Sequence, residues 1–210
     1  MSNIAATIAQ KLLEVKAIQL SPTKPFTWAS GILSPIYCDN RISLSYPEIR
    51  NFIKDSLAQK ASQFGDFDVV AGVATAGIPH GALVADVLQK PFIYVRSKPK
   101  GHGMQNLIEG EIPTGKKVLV VEDLISTGGS SVKAVNALKE TGAEVVGTIA
   151  IFTYGFEKAK ATFEKASCPL DTLSNYDVLL EEAVRMKYIS SEMLNTLQAW
   201  KNAPSEWKGL

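Results

Sequence analysis

Between residues 69 and 154 the chain alternates short apolar runs with longer amphipathic stretches, and this alternation limits the fold more than any other feature. VVAGVA (69–74), PFIYVR (91–96), KKVLVVED (116–123) and EVVGTIAIFTY (144–154) read as strands. GIPHGALVADVLQ (77–89) and GSSVKAVNALKETG (129–142) read as helices, the second stopped by Gly142. Strands that are apolar throughout are covered on both faces, and strand–helix–strand repetition produces parallel strands. The predicted fold class is therefore α/β: an open, mostly parallel sheet flanked by helices.

The flanking segments add to this. Ile4, Ile8, Leu12 and Val15 recur at helical spacing, so the first nineteen residues are predicted to form an amphipathic helix. Residues 21–41 carry Pro22, Pro25, Pro35 and Gly31 among aromatic residues. They are too apolar for a linker and too punctuated for a helix, which predicts a short antiparallel excursion, a small N-terminal hood within residues 1–45. Pro47 suits the first position of a second helix that buries Ile49, Phe52, Ile53, Leu57 and Phe64. Further helices are predicted at 156–166, 177–189 and 191–202. Residues 97–116, with four glycines and two prolines, read as a long loop of the kind that serves as a lid. A length of 210 residues suits one domain over the whole chain.

Composition excludes several function classes. Lys and Arg number 22 against 21 Asp and Glu, so the basic excess of a nucleic-acid binder is missing. Cys38 and Cys168 form no CxxC or Cys/His cluster, which argues against a zinc site and a disulfide framework. No apolar run approaches the ~18 residues of a membrane span, and the N-terminus lacks the features of a secretion signal. The expectation is a soluble, reduced, cytoplasmic protein with no metal ligands of its own.

Chemistry concentrates in VLVVEDLISTGGSS, residues 118–131. A buried strand meets Glu122 and Asp123, and a Ser/Thr/Gly turn then leads into a helix. Such a turn converges backbone N–H groups, with the positive end of the helix behind them, and so makes a phosphate cradle. The acids cannot hold phosphate; they suit vicinal hydroxyls, a magnesium ion or a developing positive charge. Together these suggest a sugar phosphate, against the plainer alternative of a strand end with solvated acids and a capped helix. No GxxxxGK[ST] loop or GxGxxG fingerprint is present. A second strand–loop–helix unit, Gly72 to Pro79, offers small residues at another helix start, or else a tight packing turn. His80 reads as a helix-start or core histidine. Arg96, Lys98, Lys100 and His102 lie in the glycine-rich lid, where a mobile basic loop could close over an anion and neutralise a leaving group.

VLVVEDLISTGGS resembles the signature of the type I phosphoribosyltransferases, which bind 5-phosphoribosyl 1-diphosphate. The resemblance implies that fold, with Glu122 and Asp123 on the ribose hydroxyls and Leu124, Ile125, Ser126, Thr127, Gly128, Gly129 and Ser130 around the 5′-phosphate. It implies a pyrophosphate loop at Thr75, Ala76 and Gly77. The lid resembles the catalytic loop of orotate phosphoribosyltransferases, in which Arg96, Lys100 and His102 fall on functional positions. Ser97 stands where that family often has a lysine, and Met104 where it has an acid, with Glu109 further along. FTWASGILSPIY (26–37) resembles the family's FxLxSGxxSPxY segment, which implies Phe26 and Tyr37 near the base; Ser126 and Thr127 could also face the base edge. Ala29 replaces a frequent lysine, and the family's arginine after the strand ending Phe152-Thr153-Tyr154 is missing; Arg41 is one residue that could supply the cation.

What the resemblance implies is transfer of phosphoribose to orotate, a pyrimidine biosynthesis step, with Mg²⁺. Lys100, His102 and Asp123 would be catalytic, in a homodimer whose lid acts across the interface. Two alternatives stand beside it. One is a purine or uracil enzyme of the same fold, disfavoured by the SGxxSP segment. The other is a phosphoribosyl diphosphate-sensing regulator, disfavoured by the lack of a DNA-binding module.

Overall fold

The computed structural model describes residues 4–28, 31–98 and 107–209. Helix α1 (Ile4–Glu14) buries Ile8, Ala9, Leu12 and Leu13. It ends earlier than the periodicity predicts. Lys16 turns left-handed (φ +58°), and Ile18–Leu20 becomes strand β1, with Ile18 and Leu20 inward and Gln19 between them. Strand β1 pairs antiparallel with β4 (Ile36–Cys38), and β2 (Phe26–Thr27) pairs antiparallel with β3 (Leu33–Ser34). The predicted excursion is thus two short ribbons. A 3-10 turn at Asn40–Ser45 leads into α2 (Pro47–Ala61), which starts on Pro47 as expected. Phe64 lies past the helix, in a 3-10 turn at Ser62–Phe64.

The main sheet holds β5 (Val69–Val73), β6 (Phe92–Val95), β7 (Ile108–Glu109), β8 (Lys117–Ile125), β9 (Glu144–Thr153) and β10 (Leu170–Asn175). Its spatial order is β10-β9-β8-β5-β6-β7. Every pairing is parallel except β6 with β7. The connections carry α3 (Gly77–Leu88), α4 (Gly129–Glu140) and α5 (Glu157–Lys165), and α6 (Tyr176–Arg185) and α7 (Leu194–Asn202) follow the last strand.

Period-two geometry sorts the central strands between two cores. Leu119 and Val121 join Ile8, Ile53, Leu179 and Trp200 on one face, beneath α1, α2, α6 and α7. Val118 and Val120 join Val135, Leu138 and Phe163 on the other, beneath α4 and α5. The expected α/β architecture, an open and mostly parallel sheet between helices, is therefore the one present.

Three strands differ from the sequence reading. Strand β10, whose LDTLSN mixes polar with apolar residues, was not expected; it is an edge strand bonded only to β9. Strand β7 lies inside the stretch expected to be loop, anchored by buried Leu107 and Ile108. Strand β8 runs on through both acids to Ile125, because Leu124 and Ile125 still pair with Phe152 and Thr153 of β9. Among the described residues no helix is long and apolar enough to cross a membrane.

Candidate active site

In an open parallel sheet, ligands bind beyond the carboxyl ends of the strands. Here the ends of β5, β6, β8 and β9 lead directly into the segments singled out above.

Glu122 and Asp123 sit within β8, not after it. Glu122 is buried; its Oε2 accepts from Ser131 Oγ at 3.1 Å and its Oε1 from the Asp123 amide at 3.0 Å. Asp123 is half-buried. Burial raises the pKa of both carboxyls, and the charge of Asp123 raises Glu122 further, while the hydrogen bond from Glu122 pulls Asp123 back down. Burial thus works against the charged form of both, most strongly in the deeper Glu122.

Beyond Ile125 the chain turns at Gly128 (φ +79°) into α4, whose first turn has no side-chain cap. Its amides are left to the loop of Ser126, Thr127, Gly129 and Ser130, of which Thr127, Gly129 and Ser130 are exposed. An uncapped helix start of this kind attracts anions.

The second loop follows β5. The Ala74–Thr75 peptide is cis, Thr75 is exposed, and α3 opens at Gly77 without a side-chain cap. A Cβ at Gly77 would lie 2.6 Å from the Val121 carbonyl and 3.2 Å from Glu122 Oε1. A Cβ at Gly72 would lie 2.8 Å from the Gly77 carbonyl. The small residues therefore serve tight packing: they let the start of α3 press onto β8 at the acids. His80 is a core residue at 1% exposure. Burial pushes it down to about 4, against a hydrogen bond that the imidazole donates to the Asn40 backbone carbonyl.

At the end of β6, the Arg96 amide donates to the Leu107 carbonyl at 2.8 Å, and Arg96 Nη1 donates to Glu109 Oε1 at 3.2 Å. Glu109 thus stands beside Arg96. Lys98 is exposed. Lys100, His102 and Met104 lie outside the described residues, as does Ala29.

The hood meets the site through Asn40, which sequence reasoning passed over. It is fully buried, and its Nδ2 donates to the Asp123 carbonyl at 2.9 Å, fastening the turn after β4 to the acid-bearing strand. Arg41 is bound to Asp39 through two hydrogen bonds of 2.7 and 2.9 Å. Phe26 and Tyr37 pack together with ring centroids 5.7 Å apart.

Between the hood and the loop at 126–130 lies a cavity of about 520 Å³, lined in part by Trp28, Ile32, Ser126, Thr127 and Gly155. Ser126 belongs to it as expected, whereas Phe26 and Tyr37 are not among the described lining residues. A larger cavity, about 640 Å³, opens between α5 and β10 and contains none of the expected site residues.

The chain matches the family model described as phosphoribosyl transferase domain over residues 44–183. It is 58% identical over 206 residues to the orotate phosphoribosyltransferase of Listeria monocytogenes serovar 1/2a, covering 98% of this chain and 99% of that protein. It is 55% identical over 208 residues to the enzyme of the same name from Bacteroides thetaiotaomicron, covering 99% and 98%. The crystal structure of orotate phosphoribosyltransferase from Aeropyrum pernix superposes with a TM-score of 0.75 at 28% identity, covering 87% of this chain and 99% of that one.

Proposed function

The chain belongs to the orotate phosphoribosyltransferases of the phosphoribosyl transferase domain family, and we propose that its reaction is the one that name describes. It transfers the phosphoribosyl group of 5-phosphoribosyl 1-diphosphate to orotate, giving orotidine 5′-monophosphate and pyrophosphate. One observation carries the reading. Glu122 touches two helix starts at once, bonded to Ser131 in the first turn of α4 and packed against Gly77 at the start of α3. Two anion-attracting ends therefore flank one acid pair, which suits a ribose with phosphate at both ends.

In this reading the 5′-phosphate takes the amides around Ser126–Ser130, and the diphosphate takes those around Thr75–Gly77. The ribose hydroxyls lie between, on the acids. Asp123 accepts from a hydroxyl and stabilises the positive charge that grows on the ribose as the diphosphate departs. Glu122, bonded to the Asp123 amide and to Ser131, holds the acid-bearing strand against the start of α4. The base occupies the cavity beside Ser126 and Trp28. Arg96, Lys100 and His102 neutralise the leaving diphosphate, and Leu124 and Ile125 carry the strand into the loop.

Among the described residues no group of three or more His, Cys, Asp or Glu side chains is placed to hold a metal ion. The donor set fits Mg²⁺ that would arrive with the substrate and keep most of its water, with the Asp123 carboxylate available to hold it. When bound, it would offset the charge of the diphosphate. A cytoplasmic location agrees with two free cysteines. The homodimer, with the lid reaching the neighbouring site, rests on the resemblance; mixed Lys100→Ala and Asp123→Asn chains should regain activity if sites are shared.

The deciding experiment supplies purified protein with Mg²⁺, phosphoribosyl diphosphate and a panel of bases. Orotate alone should be consumed, with stoichiometric pyrophosphate. Use of a purine instead, or of no base, would refute the assignment.

A further inference from the structure

We propose that Lys201, on the C-terminal helix α7, binds the carboxylate of orotate across the cavity it shares with Ser126 and Thr127; the inference rests on the orotate reading above. Orotate differs from uracil by a carboxylate on the ring carbon beside the nitrogen that joins the ribose. That anion must therefore lie next to the sugar, close to the phosphate loop, and a buried carboxylate requires a cation or donors.

Three charged side chains among the described residues line the cavity: Glu157, Lys158 and Lys201. Glu157 and Lys158 are exposed neighbours of opposite sign at the start of α5, so their effects offset. Lys201 sits deeper, with 21% side-chain exposure. A Cβ on Gly155 would stand 3.5 Å from its Nζ, which puts the ammonium over the backbone that leaves β9. Gly155 holds the turn with φ +71°, and its amide donates to Thr153 Oγ1 at 3.0 Å. Thr153 Oγ1 in turn donates to the Ile125 carbonyl at 3.1 Å, directly before Ser126. Lys201 thus packs on Gly155, which a short chain of hydrogen bonds ties to the residue before Ser126.

Its neighbour Trp200 fixes the helix. Trp200 is fully buried and packs on Trp28, Tyr154, Phe156 and Tyr176 with centroids 5.3–5.6 Å away. Lys201 Nζ donates to Asp177 Oδ2 at 2.6 Å. An ammonium has three donors, and the Asp177 side chain is 58% exposed, so the ammonium has donors to spare and its partner's charge is screened by water. Arg41 is committed to Asp39 and is not among the described residues lining the cavity.

The test compares two nucleotides that differ only in this carboxylate, orotidine 5′-monophosphate and uridine 5′-monophosphate, titrated calorimetrically into the full chain. Lys201→Met should weaken the first roughly 10- to 100-fold and leave the second within about twofold, since a charged hydrogen bond is lost from one ligand only. Lys201→Arg should keep most of the preference. Asp177→Asn should keep or strengthen it, because the ammonium remains; a purely structural ion pair would make Asp177→Asn behave like Lys201→Met. Equal losses for both nucleotides, or a preference undiminished in Lys201→Met, would overturn the proposal. If the unsubstituted protein itself shows no preference and does not consume orotate, the functional reading fails instead.

Discussion

Replacing Gly77 with alanine puts the contact between α3 and β8 to a direct test. The added Cβ would stand 2.6 Å from the Val121 carbonyl, where real contacts stay above 3.0 Å, so backbone must yield by at least 0.4 Å. Neither side has an easy way to give. Val121 lies in β8 between β5 and β9, bonded to both, and Gly77 begins a helix. Overpacking of this kind costs ~1–3 kcal/mol. The displacement also falls between the proposed diphosphate loop and Glu122. Since a misplacement near 1 Å can cost ~100-fold in rate, a shift of this size should lower kcat by roughly tenfold. Urea unfolding gives the first quantity and steady-state turnover the second. Gly129→Ala is the control for stability, because nothing lies within 4 Å of that Cβ; it should melt like the unsubstituted protein. Gly77→Ala with undiminished stability and turnover would refute the claim that close approach of α3 to the acids sets the site.

The remaining expectations are simpler. His80 should make the protein acid-sensitive: the unfolded chain takes up its proton below about 6.5 while the folded one resists to about 4, so stability drains away as pH falls through that window, by up to about 3 kcal/mol. His80→Gln should lose about that much less stability between pH 7 and 4 in urea titrations, and an unchanged slope would remove the histidine from the account. Asp123→Asn should lower kcat/KM for phosphoribosyl diphosphate by ~100-fold or more with an unaltered melting curve, since Asn40 holds only its carbonyl; full activity would separate the acid from the chemistry. Trp200→Ala should cost ~3–5 kcal/mol in denaturant unfolding, and a loss below 1 kcal/mol would mean that the aromatic cluster does not anchor α7.

What sequence reading could reach was set by range. The four strands between residues 69 and 154 were visible because burial on both faces writes itself as unbroken apolar runs, and both helix starts because small residues cluster there. Strand β10 was not visible, since an edge strand bonded on one side needs no such run. Strand β7 was too short to show a period. The acids looked like a strand terminus because charge there ordinarily means solvent, yet their pairing with β9 continues. Asn40 and Lys201 act on residues 83 and more than 70 positions away in sequence, respectively, and no local pattern marks such a partnership.

The aromatic anchor around Trp200 also sets an order of events during synthesis. The sheet strands β5 to β9 and the loop at Ser126–Ser130 have all left the ribosome while α7 is still unmade. A nascent chain therefore holds the proposed phosphate loop before it holds the wall that completes the cavity beside Trp28 and Ser126. Newly made protein stalled before Trp200 would have Trp28 and Tyr154 uncovered, an oily patch for chaperones to shield until the last helix arrives.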